Sequence, residues 1–138
     1  MPQFRVFHIH LPPGAIITPD LSEDMFQAGW RGNVDGVLAR GLYREVAKLE
    51  VFDIEEVFPK TNHLHPAGWQ ANEGVIRAID HARSTSVGDL ALDEAGALHI
   101  CAQIGWERAS QDQLALFNEK LGGEIAEISD DTPILGGF

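Results

Sequence analysis

Residues 83–106, RSTSVGDLALDEAGALHICAQIGW, decide how this chain is read. Two runs of apolar character, 86–93 and 98–106, flank Glu94-Ala95-Gly96-Ala97, a short connection that contains the glycine a tight turn favours. Leu98, Ile100, Ala102 and Ile104 alternate with polar or small residues, the period-2 pattern of a strand with one buried face. The hydroxyl residues Ser84, Thr85 and Ser86 precede Gly88-Asp89. Their side chains suit a turn, because they bond neighbouring backbone groups. The stretch therefore predicts a β-hairpin over 86–106.

Working outward, residues 4–11 alternate in the same way. Phe4, Val6, His8 and His10 share one face, and Arg5, Phe7, Ile9 and Leu11 the other. Pro12-Pro13-Gly14 ends that strand, since proline has no N–H to donate and disfavours helix in the residue before it. Ser22-Glu23-Asp24 predicts the cap of a short helix with Met25 and Phe26, ending near Gly29. Asn33 opens a further helix with Val34, Val37 and Leu38 on one side, weakened by Gly36 and Gly41. A second strand is expected over 43–52. Asp53 with Glu56 three positions on reads as an acidic capping box, followed by Ile54, Val57 and Phe58. Ser110 and Gln113 form a second box, ahead of Leu114, Phe117 and Leu121, with Gly122-Gly123 as a stop. Strands and helices in this order predict an α+β fold: one small domain over 1–123, with an antiparallel sheet flanked by short helices. Residues 124–138 read as an acidic, loosely ordered tail.

The length of 138 residues fits one domain in the usual range of roughly 100 to 200. Cys101 is the only cysteine, which excludes an intrachain disulfide and a cysteine-rich zinc site. With neither a long apolar run nor a basic-then-apolar leader in view, the expected compartment is the cytosol. The formal charge of −11 bears most directly on partners. Twenty-one acidic residues against ten basic ones repel a phosphate backbone, which disfavours direct nucleic-acid binding. The same charge attracts a basic protein surface.

The six histidines call for a metal test. His8 and His10 share a strand face, His63 and His65 repeat the spacing in a loop, and His81, His99 or Asp80 can supply a third ligand. No HExxH-like signature accompanies them. Nor does a Gly-x-Ser-x-Gly elbow surround Ser84 or Ser86, and the glycines form no Walker or dinucleotide loop. Cys101, between apolar neighbours, reads as a small buried hydrophobe. Trp30, Trp69 and Trp106 remain as interface candidates. Trp69, in a polar loop beside His63 and His65 and ahead of Arg83, is the foremost.

Arg83-Ser84-Thr85-Ser86-Val87-Gly88-Asp89-Leu90, followed by a turn and then Ile104-Gly105-Trp106-Glu107, resembles the YodL-like domain and related small proteins of phages, plasmids and other mobile elements. The segment 43–46, Asp53-Ile54-Glu55-Glu56 and Thr61-Asn62-His63 are similar to the region ahead of that hairpin, so the resemblance covers roughly 43–107. His99-Ile100-Cys101 departs from it, standing where an aromatic such as tyrosine is common. A Val-Gly-Asp turn entering a strand also resembles PUA- and ASCH-like RNA-binding barrels. The first resemblance implies an accessory protein of a mobile element that binds a host or element-encoded protein, such as a nucleic-acid-directed defence enzyme. The residues expected to carry that binding are Trp69, His63, His65 and Arg83, with no cofactor. A metal-dependent hydrolase built on His8, His10, His63 and His65 is the alternative.

Overall fold

The computed structural model describes residues 1–62 and 66–122. Among them the chain runs β1 (Gln3–Ile9), α1 (Pro19–Arg31), α2 (Asp35–Arg40), β2 (Tyr43–Glu50), α3 (Val57–Lys60), β3 (Val75–Ala78), β4 (Leu90–Asp93), β5 (Leu98–Cys101), β6 (Trp106–Arg108) and α4 (Gln111–Phe117). The strands form one antiparallel sheet in the order β3-β2-β1-β4-β5-β6. This is the expected α+β architecture. No ladder among the described residues joins β3 to β6, so the sheet is open and not closed into a barrel. No helix among them is long and apolar enough to cross a membrane.

β1 lies inside the sheet and is covered on both faces, which is why its alternation is apolar on both. On one face Phe4 and Val6 join Val46, Leu49 and Ala91 beneath Val57, Trp69, Ile79 and Ala82. On the other, Phe7 joins Tyr43, Leu90, Leu98 and Ile100 beneath Ala28 of α1, Val37 and Leu38 of α2, and Phe117 of α4. Phe117 meets Phe7 edge to face, with centroids 5.1 Å apart. The β1–β2 register slips between Val6 and Phe7, leaving Val46 as the extra residue of a bulge.

Local chemistry moves several boundaries from where the sequence placed them. α1 starts at Pro19 and not after Ser22, because the Thr18 side chain accepts from Leu21 N and proline suits the first helical position. The box at Asp53 is split: Asp53 accepts from Glu55 N, while Glu56 reaches Phe52 N. The Ser110–Gln113 box is reciprocal, as expected.

The hairpin changes most. Residues 86–89 are a turn, and β4 begins only at Leu90. The run 98–106 is not one strand: it folds back at Ala102, whose N–H donates to Gly105 O, with Gly105 at φ +71°. Ile104 sits on that fold and is 94% exposed. The expected tail, 124–138, lies outside the described residues.

Candidate functional site

The 83–89 turn is built around Asp89. Its side chain is fully buried and accepts from Ile9 N (2.9 Å) and Ser86 N (2.8 Å). Arg83 closes on it through two bonds, Nη1 to Oδ2 at 2.6 Å and Nη2 to Oδ1 at 2.8 Å. That is the fork geometry guanidinium groups favour. Arg83 also donates to Ser84 O, Ser86 Oγ and Ile9 O, so one side chain ties the turn to the end of β1. Burial pulls the Arg83 pKa down, but the hydrogen bond and charge of Asp89 more than offset it and hold the group above its ordinary value. The Tyr43 hydroxyl donates to Gly88 O at 2.7 Å, a third tether. Gly88 itself has φ +92°, and a Cβ there would lie 2.6 Å from Ala28 O on α1. Only glycine meets both conditions. No buried side-chain nitrogen or oxygen among the described residues is left without a partner.

His8 packs under this turn. Its Nε2 lies 2.8 Å from Thr85 Oγ1 and 3.8 Å from Asp89 Oδ2, and its ring is 6.3 Å from that of Trp69. The same nitrogen faces both groups. A nucleophile–base–acid relay instead uses opposite ring nitrogens. Thr85 is 2% exposed and closed to a substrate. Burial lowers the His8 pKa to about 4, against the pull of Asp89 and with help from Arg83 and Arg44.

The consequence for stability has a definite sign. The unfolded chain takes up the His8 proton before the folded one does. Stability is therefore complete above pH 6.5 and is lost as pH falls from there toward 4, by about 3 kcal/mol. Urea midpoints of the protein and of His8→Gln, taken at both ends of that window, isolate this from carboxylates common to the two. An equal acid sensitivity in both proteins would contradict it.

Of the residues the sequence singled out, Trp69 requires correction. It is fully buried and not an exposed docking aromatic. The 3-10 turn over Trp69–Ala71 carries it into the core, where its indole N–H donates to Ala82 O (3.0 Å) and Arg83 O (2.9 Å). With both ends of the side chain satisfied, nothing opposes burial. Arg83 is half-exposed, but its terminal nitrogens are engaged in the turn. His63 and His65 lie outside the described residues. Among the described residues, no three His, Cys, Asp or Glu side chains gather in a metal-holding group. His99 pairs with Asp93 at 3.0 Å. Cys101 is buried and its thiol is pushed up to about 12, first by burial and then by Asp89, which makes it a poor nucleophile.

Two arrangements escaped the sequence reading, although Trp30 itself was among its interface candidates. The first is a cleft of about 270 Å³ lined by His8, Ile9, His10, Leu11, Arg44, His81 and Arg83. Arg44 lies directly across from His8 in the β1–β2 register, so only strand pairing brings them together. The second is on α1. Phe26 and Trp30, one turn apart, stack at 6.2 Å and 11° while 50% and 62% exposed. Gln103 donates to Trp30 O, which ties the 102–105 turn to the end of α1. Spacing on α1 could have signalled this pair, because Phe26 and Trp30 fall opposite Leu21 and Ala28, which are buried.

No protein-family model, no curated protein and no solved structure matches this chain.

Proposed function

We propose that this is a small accessory binding protein of a mobile genetic element. It acts by occupying a basic surface on another protein, of the kind a nucleic-acid-directed defence enzyme presents. The observation that carries this reading is the stacked, solvent-exposed Phe26–Trp30 pair. Large aromatics exposed together on a rigid element are the usual anchors of protein interfaces. α1 is rigid at both ends: Thr18 caps its start, and Gly32, at φ +74°, closes its end with bonds to Ala28 O and Gln27 O. Glu23 stands one turn before Phe26 on the same stripe, and the chain as a whole carries −11. An apolar anchor on an acidic protein complements a basic target that has an apolar notch. The YodL-like resemblance of residues 83–107 supports the mobile-element setting.

The test is affinity capture from nuclease-treated host lysate with the protein and with the Phe26→Ala, Trp30→Ala double variant. We expect the protein to retain a stoichiometric nucleic-acid enzyme and the variant to lose it. Both side chains are largely solvent-exposed, so the variant's melting temperature should change by no more than about 2 °C. Equal capture by the two proteins would refute the assignment.

A further inference from the structure

We propose that the cleft between α3, the 85–87 turn and the fold-back at 102–106 binds a small ammonium ligand with a flat apolar body. This inference is independent of the α1 surface. It starts from a cavity of about 350 Å³ whose lining includes Phe58, Pro59, Val87 and Trp106. Phe58 is 42% exposed, so apolar surface that an occupant would cover lies open to water.

The walls are held in place by the fold itself. Thr85 N donates to Thr61 O, which fastens the 85–87 turn to the end of α3. Gly88 N donates to Cys101 O and Cys101 N to Asp89 O, which joins the same turn to the end of β5. Ala102 N donates to Gly105 O and closes the fold-back ahead of Trp106. A pre-formed, mostly apolar concavity with a few polar groups is the usual form of a small-molecule site. At about 350 Å³ this one stands near the lower end of the roughly 300 to 1,000 Å³ such sites span, so its occupant is small.

Charge and hydrogen bonding select the polar end of that occupant. Among the described residues of the lining, Glu55 is the one charged side chain, and no Lys, Arg or His stands with it. Its backbone N–H goes to Asp53, while its carboxylate pairs with no cation among the described residues. Cys101 adds no charge at neutral pH, because burial holds it as a thiol. The other polar groups are mostly committed: Thr85 Oγ1 to His8, Ser86 Oγ to Arg83, and the Gln103 amide nitrogen to Trp30 O. Gln103 Oε1 and the Glu55 carboxylate are left as acceptors. An ammonium group has three donors and no acceptor, whereas a carboxylate or phosphate would bring further acceptors and a like charge. The rings of Phe58 and Trp106 favour the same choice, since aromatic faces attract cations and their area suits a flat body.

The experiment follows backbone amide resonances of the purified protein at pH 7 during titration with 2-phenylethylamine, 2-phenylethanol and phenylacetate. The three share a ring and differ in carrying a cation, a neutral hydroxyl or an anion. We expect saturable shifts from the amine confined to residues 55–59, 85–87 and 101–106, with a dissociation constant of about 1 mM or tighter. The alcohol should bind roughly threefold to tenfold more weakly, and phenylacetate should give no saturable response. Glu55→Gln, at an exposed position, should weaken the amine about threefold and leave the alcohol unchanged. Phe58→Ala should weaken both, which separates the apolar contact from the charge. Equal binding of amine and alcohol, shifts that do not saturate or that map elsewhere, or amine binding unchanged in Glu55→Gln would overturn the proposal.

Discussion

Asp89→Ala is expected to destabilise the protein by roughly 3–5 kcal/mol, a large part of the stability of a typical domain. The side chain is fully buried, and three groups converge on it: Ile9 N, Ser86 N and the Arg83 fork. Its removal leaves two backbone N–H groups without an acceptor, at roughly 1–3 kcal/mol each. Arg83→Ala should cost less, because its guanidinium is half-exposed and water can replace part of what is lost. Equilibrium urea unfolding of both variants gives the two values. A cost below about 1 kcal/mol for Asp89→Ala would mean that the turn is held by Tyr43 and the Gly88 contact instead.

Trp69→Ala should cost about as much, roughly 3–5 kcal/mol, by opening a cavity at the largest fully buried side chain. Trp69→Phe separates the contributions. It keeps most of the apolar volume but removes the donor from Ala82 O and Arg83 O, at roughly 1–3 kcal/mol. Trp30→Ala, by contrast, should stay within about 0.5 kcal/mol. The two tryptophans are thus distinguished by unfolding midpoint on one side and partner capture on the other. A Trp69→Ala protein as stable as the parent would place that ring at the surface after all.

The difference between these two tryptophans shows how far the sequence could be read. Residue type and local spacing carry periodicity and capping: the alternation over 4–11, the Ser110–Gln113 box and the apolar stripe of α4 all depend on neighbours in the chain. Trp69 sits in a stretch of Gly, Gln and Asn that looks like an exposed loop. Its burial depends on the carbonyls of Ala82 and Arg83, more than a dozen residues on, and no local pattern announces them. The turn at 102–105 was hidden for a related reason. Ala102 and Ile104 keep the alternation of Leu98 and Ile100, and only the left-handed backbone at Gly105 interrupts the strand. The cleft beside His8 is less legible still. His8 and Arg44 become neighbours through register, and Arg83 joins them through its own bond to Ile9 O and through Asp89, which accepts from Ile9 N.

The placement of β1 governs the order in which this chain can assemble. It pairs with β2 on one side and with β4, whose residues are more than eighty positions later, on the other. Closing so long a loop costs entropy before the contacts that reward it exist, which slows folding in topologies of this kind. During synthesis, β1 must wait for residues 90–93 before its second edge is covered. A chain truncated before Leu90 would keep an open edge along β1, the sort of surface that pairs with other copies of itself.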